Sequence, residues 1–500
     1  MPIRLSGLAS GMDTESIVAE MMKAQRLKLT KIENKKTKLE WKNEIWQDLN
    51  KKLYAFYTGS LNSMKMQGTF NTRTAVSSNE NKVAVTAGNG AVEGNHMIKV
   101  SRLASAQYVT GGVIDKPGIE VNTLTSLKDL GVGTGEIEVT NGEKKVSLMV
   151  DDSTTIGDLL NTMKTAGLNA SFDTTQKRIY LSSKDTGADA AFSMAGIDLS
   201  SIGLASFDGK GSVQGDKNNM ALVKAEDAEF EYNGSTMTSS SNSISINGLS
   251  FQLLGTTGTD TVNINVKKDI QAVYDKVKGF VKEYNELMKQ MNEFYYAKTA
   301  KGFEPLTEDE KSAMSEKEIE KWEAKIKDSL LRRDDGIDKL LGMMRTSLGQ
   351  SVNSGGKSYS LASFGIKSTD YTEKGILHID GDKDDSIVAS LENKLMKALE
   401  ENPEAVVDTF CQLAGELYSG FSKEIMGGNK GSLRSALTFY NDKEIKNQID
   451  DYKDRLYNME RKLETMENRY FKQFSAMEKA MSEMNSKSNY LASMLGTGNK

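Results

Sequence analysis

The sequence predicts a multidomain α+β protein. A terminal α-helical coiled coil made from both chain ends carries a helical bundle and antiparallel β-rich domains. Three observations predict it. Both ends carry long apolar repeats with a period of about 3.5 residues. The centre alternates apolar and polar residues between Asn-Gly turns. Glycine is abundant, at 43 residues against 4 prolines, which suits short strands and tight turns between the two helical ends.

The C-terminal seam runs from about Asp442 to Leu495. Ile445, Ile449, Tyr452, Leu456, Met459, Leu463, Met466 and Tyr470 recur in alternating steps of four and three, placing one apolar stripe on a helix. The next step, to Phe474, is again four, and the pattern then resumes at Met477, Met481 and Met484. An added step of this kind locally unwinds a coiled coil. With no Pro or Gly before Gly496, such a helix would be roughly 80 Å long. It must lie along something.

The N-terminal seam places Val18, Gln25, Ile32, Leu39, Trp46 and Leu53 at intervals of seven, with Ile17, Leu29, Ile45, Leu49, Phe56 and Tyr57 beside them. Residues from about Thr14 to Tyr57 therefore read as a second long amphipathic helix. Asp13 or Thr14 supplies the cap, and Glu15 suits the positive end of the helix dipole. Two such seams suggest one rod. An uncovered seam would expose apolar surface at about 25 cal/mol per Å², so both need partners: Ile17, Val18, Ile32, Leu39, Trp46, Leu53, Ile445, Ile449, Tyr452, Leu456, Met459, Leu463, Met466, Tyr470 and Met477 are the expected contact residues, with Ile445, Leu456, Leu463, Ile32 and Leu39 carrying docking.

Between the ends the elements follow in order. Phe70 to Thr86 is strand-like through Ala75, Val76, Val83 and Val85, and Gly94 to Ala104 gives a strand followed by small residues. Gly135 to Ser183 reads as hairpin, helix, hairpin: Ile137 and Val139, a turn at Asn141-Gly142, Val146 to Val150, a helix with Ile156, Leu159, Leu160 and Met163 on one face, then Phe172 to Leu181. From Ala228 to Val266, turns at Asn233-Gly234 and Asn247-Gly248 separate strands with one buried and one wet face. Near Lys268 the period changes from two to 3.6, and a helix opens through Val273, Val277, Phe280, Tyr284 and Leu287. Thr307 to Lys327 is heavily charged, with Trp322 its apolar anchor, and reads as a solvated insertion. Leu340, Leu341, Met344 and Leu348 form a helix. Leu361 to Ile366 and Gly375 to Asp380 form a short hairpin, followed by an acidic loop at Asp380 to Asp385.

Composition excludes several classes. The chain is mildly acidic, at −5, with no run of about 18 apolar residues to span a bilayer. Its start lacks the basic and apolar pattern of a cleaved signal, and the single Cys411 excludes an internal disulfide framework. No metalloprotease, paired-cysteine, phosphate-loop or nucleophile-elbow motif occurs, and two histidines, His96 and His378, leave little general-base capacity. Asp334 to Asp338 resembles half of a calcium loop but has Arg345 where the twelfth-position Glu belongs. No enzyme, cofactor, metal or nucleic-acid partner is expected. A paired-carboxylate glycosidase stays open on sequence alone, because its two acids need only meet in space.

Several phrases together carry a family resemblance. Ser6-Gly7-Leu8-Ala9-Ser10-Gly11-Met12-Asp13-Thr14, Gly94 to Ala104, Asn247 to Leu253 leading to Val262 to Val266, and Phe280-Val281-Lys282-Glu283-Tyr284-Asn285 resemble the bacterial flagellar filament cap family, hook-associated protein 2. So do Leu361 to Ile366, Gly375 to Asp380 and Asn402 to Val407. Leu27 stands near a position where relatives often carry proline, and the acidic loop is longer than the family pattern. The resemblance implies a coiled-coil segment at 1–60, a leg domain at 61–95 and 269–435, an outer head at 96–268 with a small α+β module at about 131–195, and a second coiled-coil segment at 436–500.

It further implies export through the flagellar type III channel without a cleaved signal, and an extracellular homo-oligomeric ring at the distal tip. That ring would retain exported flagellin and promote its folding and insertion. The implied partners are the chain itself, flagellin, the hook–filament junction protein and a cytoplasmic export chaperone. Two other readings stay open: a junction protein or flagellin, and a surface adhesin whose head recognises host mucin or glycan.

Overall fold

The computed structural model describes residues 13–208, 213–214, 220–426 and 434–496. The opening phrase up to Met12 lies outside the described residues. The chain divides into two compact units, Met1–Phe70 with Ile270–Lys500, and Asn71–Asp269.

The first unit is helical. Its first helix spans Thr14–Thr58, and Asp13 is the cap, its side chain accepting from the Ser16 amide at 3.0 Å. The helix stops at Gly59, where an added Cβ would stand 2.7 Å from the Ala55 carbonyl oxygen. Only glycine allows the chain to re-enter helix directly at Ser60. The last helix spans Asp442–Leu495 and runs antiparallel to the first: Trp46 stacks on Tyr440 at 5.2 Å, and Arg26 pairs with Glu467 at 3.6 Å.

Three further helices, Ile270–Tyr295, Asp335–Leu348 and Pro403–Met426, complete the bundle. Their stripes, including Phe280, Tyr284, Leu341, Met344, Phe410 and Phe421, close over Trp46, Leu49, Leu53 and Phe56. Pro403 opens its helix where a missing amide costs nothing, and Asn402 caps it by accepting from the Ala405 amide.

Two expectations change here. The charged insertion does not float in solvent, because Lys38 pairs with Glu304 at 2.6 Å, Phe303 and Trp322 pack at 4.5 Å, and Lys327 lies over Trp41. It braces the first helix. The hairpin expected over 361–380 shrinks to a two-residue ladder, Ile366–Lys367 against His378–Ile379, because Leu361–Phe364 coils into a 3-10 turn.

The second unit is built of sheets around two cores. In one core, a five-stranded sheet ordered Arg73–Ser77, Val262–Lys268, Gly94–Arg102, Ala228–Tyr232 and Ser235–Ser239 shares apolar residues with a three-stranded sheet of Ser243–Ile246, Leu249–Leu253 and Val83–Ala87. Residues 71–95, assigned to the leg by resemblance, thus fall in the sheet unit, since Arg73–Ser77 pairs with Val262–Lys268 and Val83–Ala87 with Leu249–Leu253. The Asn-Gly turns fall as expected at 233–234 and 247–248, with both residues at positive φ. At 141–142 the turn lies one residue later, because Asn141 pairs with Lys144 and Gly142 takes the positive φ.

The other core extends from Val109 to Met220, beyond the 131–195 module. The two hairpins of that module do not share a sheet. Gly135–Asn141 and Lys144–Val150 join Phe192–Gly196, while Asn169–Asp173 and Arg178–Ser182 join Tyr108–Thr110 and Ala221–Val223. The helix Ile156–Thr165 packs its apolar face into this core and is fixed by a Thr155/Asp158 capping box.

Candidate functional site

The paired terminal helices are the candidate functional surface, and the pair has two parts. Near the bundle, Trp46, Leu53, Ile445 and Ile449 are buried in the helical core, with Leu39 packed against its edge. These residues, expected as partner contacts, are core residues of the chain's own bundle. The Asn50 side chain reinforces the junction by accepting from the Phe439 amide at 2.8 Å.

Farther out, Val18, Met22 and Leu463 form a small core of two helices, with Met459, Met466, Tyr470, Phe471 and Phe474 partly buried around it. Ile32, Tyr452 and Leu456 are half-buried. Ile17 and Met477 are each 38% exposed, and Met484 is 68% exposed. The two predicted seams largely cover one another. Of the predicted contact residues, Ile17 and Met477 face outward, Ile32, Tyr452 and Leu456 lie between, and the rest pack within the chain.

The charged groups divide the helical unit. Eight Lys and Arg stand against two Glu from Lys23 to Lys42, and eight acidic residues stand against three Lys from Asp380 to Glu404. The acidic loop is not simply solvated. The Lys278 ammonium donates to Asp382 at 2.5 Å and to Asp384 at 2.6 Å, and those bonds hold Lys278 well above the usual lysine range. Asp384 is correspondingly lowered. This contact spans about a hundred positions, so sequence spacing gives no sign of it.

Both histidines have structural partners. His96 lies against Tyr232, with Nδ1 2.9 Å from the tyrosine hydroxyl and Nε2 2.9 Å from the Val92 carbonyl. His378 sits between Asp385 and Glu373. Asp334, in the half calcium loop, caps the helix Asp335–Leu348 and pairs with Lys42 at 2.8 Å. Among the described residues, no group of three or more His, Cys, Asp or Glu is arranged to hold a metal ion.

Comparison with known families gives two matches. The model for the flagellar hook-associated protein 2 C-terminus matches residues 225–486, and that for its N-terminus matches residues 10–107. The chain belongs to the flagellar hook-associated protein 2 family. A family relative, flagellar hook-associated protein 2 of Halalkalibacterium halodurans, is 28% identical over 97% of this chain and 98% of its own. The A-type protein of Pseudomonas aeruginosa is 24% identical over 99% and 97%. Among solved structures, the D1-D2-D3 domains of the flagellar cap protein of Escherichia coli align with 19% identity and a TM-score of 0.48, over 76% of this chain and 97% of that one.

The structural feature that sequence reading missed is electrostatic. Lys28, Lys31, Lys35, Lys38 and Lys42 follow steps of three and four. That is the spacing of one helix face, and it was legible beside the apolar seam.

Proposed function

We infer that the chain is a structural, filament-capping subunit: an oligomeric cap at the distal tip of the flagellum that keeps exported flagellin from being lost and promotes its folding and insertion. Family membership across both termini and the leg supports this reading, and one geometric observation carries it to residues. The helical pair covers its own seam up to about Phe474, while Met477, Met484, Leu491 and Met494 beyond it are exposed. An exposed row of methionines on a helix is an adaptable docking surface, and flagellin is the partner it would serve. Export by the flagellar type III pathway with a cytoplasmic chaperone, and contact with the hook–filament junction protein during assembly, complete the reading.

Gold-labelled antibody against residues 96–266, applied to flagella of the producing cell, tests it. Label confined to the distal tip is the expected result. Label along the filament or at its base would overturn it in favour of flagellin or the junction protein.

One observation favours a second role for the sheet unit, in glycan adhesion. Tyr108 and Tyr180 lie on the open face of the four-stranded sheet, in a groove of about 660 Å³ with Lys164, Lys184 and no acidic side chain. Retention of the chain on immobilised mucin should fall at least tenfold in a Tyr108→Ala/Tyr180→Ala variant. Unchanged retention would remove this role.

A further inference from the structure

We propose that the acidic loop of one copy docks into a basic groove on the helical rod of the next, so that copies join head to tail. The proposal rests on the oligomeric reading above and assigns its contact. The groove, about 510 Å³, lies between the first and last helices. Its floor is Leu39, Leu330 and Tyr452, and its cationic rim is Lys35, Lys38, Lys42 and Arg455, against a single acidic lining residue, Asp451. Lys38 and Lys42 already have partners in Glu304 and Asp334, but Lys35 has no ion-pair partner among the described residues and is exposed.

The loop has the complementary pattern. Ile387 and Leu391 are exposed apolar tips, flanked by the exposed carboxylates Asp384 and Glu392. Its shape is held by Lys278 on one side and by His378, which joins Asp385 to Glu373, on the other. The loop is therefore a presented surface, with apolar tips for the apolar floor and carboxylates for the rim.

The two surfaces cannot meet within one chain. Contacts along the bundle run from Lys52 with Gln290, through Ser60 with Glu283 and Thr69 with Lys276, to Lys278 with Asp382. This order sets the loop beyond residue 60 of the rod, whereas the groove is centred near residue 38, which at 1.5 Å per residue puts them at least about 30 Å apart. A groove and a loop that differ and lie apart make a heterologous contact, which closes into a ring or continues as an open chain.

The test uses the full-length chain and two charge-reversed variants, Lys35→Glu/Arg455→Glu in the groove and Glu392→Lys in the loop, each checked for unchanged helicity and melting. Sedimentation should show self-association of the parent weakened about tenfold or more in either variant alone, with salt acting in the same direction. Mixing the two variants should restore hetero-association. A Lys35→Cys/Ile387→Cys chain in a Cys411→Ser background should give, on mild oxidation, a ladder above dimer that neither single cysteine gives.

A parent that self-associates while both reversals leave it unchanged would overturn the contact and free the groove for another occupant, such as the filament or an anionic surface. A ladder stopping at dimer would replace the head-to-tail arrangement with a two-fold one. A parent that stays monomeric at every concentration would instead count against the oligomeric reading itself.

Discussion

The two halves of the terminal helical pair share one heptad pattern and have different surroundings. Toward the bundle, Trp46, Leu49 and Leu53 are covered by the last helix and by three further helices, and all are essentially inaccessible. Toward the open end, Val18, Met22 and Leu463 are covered by one helix alone, and their neighbours Met459, Met466 and Tyr470 stay partly open. The difference teaches that periodicity specifies a stripe, while the number of layers over it decides whether the stripe is core or contact. A two-helix section buries less per residue, so it opens at lower free energy than the bundle it grows from.

The strongest way to break this comparison is to cut into the bundle half. Trp46→Ala removes a fully buried ring stacked on Tyr440 and should cost about 3–5 kcal/mol of stability by denaturant or thermal melting. Leu463→Ala in the open half should cost less, about 2 kcal/mol at the low end for a buried leucine, because a two-layer site collapses more easily. Its damage should be local, read as faster amide exchange in residues 14–30 and 455–475 with the bundle unchanged. Equal, global losses for the two variants would remove the distinction. Changing Leu456 and Leu463 together to Asp should split the pair itself, so any flagellin release it causes reports a lost rod.

A titration sharpens the contrast between the helical unit and the sheet unit. Lys278 is raised by its bonds to Asp382 and Asp384, so its contribution is complete below the ordinary lysine value of about 10.4 and is lost as pH rises through the raised one. Asp384, lowered by the same lysine, contributes above about 3.9 and loses that contribution as pH falls. In the sheet unit, Asp151 is lowered to about 2 by hydrogen bonds from Ser153 and Thr154, which gives an acid limb only. Lys278→Met should therefore flatten the alkaline fall of the helical unit and leave the sheet unit's pH profile in place. The smallest stability effect belongs to Met484→Asp, within about 0.5 kcal/mol because the side chain is exposed. Released, unpolymerised flagellin in the medium of that mutant is nonetheless the expected phenotype.

Much of this fold was legible in the sequence, for identifiable reasons. The two long helices were readable because a repeat sustained over six or more turns has few alternatives, and the start of the first was readable to Asp13 or Thr14, of which Asp13 is the cap. Asn233-Gly234 and Asn247-Gly248 were readable because few residue pairs tolerate two successive positive φ values. That the two ends pair was legible from their matching seams, but how far the bundle covers them was not. A stripe of apolar residues does not say how many layers cover it, and here Ile445 and Ile449 are met by Trp46 and the bundle. The sheet to which each hairpin belongs was hidden because Tyr108–Thr110 and Phe192–Gly196 recruit the two hairpins into different sheets from outside the module. The basic groove was hidden by distance, since Arg455 reaches Lys35 only once the chain ends are paired.

The central claim, one self-paired rod with a core half and an open half, is tested most directly by hydrogen exchange of the isolated full-length chain followed by mass spectrometry. The account predicts that residues 40–57 and 440–450 exchange only with global unfolding of the helical unit, while residues 14–32 and 466–495 exchange at least a hundredfold faster. Uniform protection along both helices would contradict it.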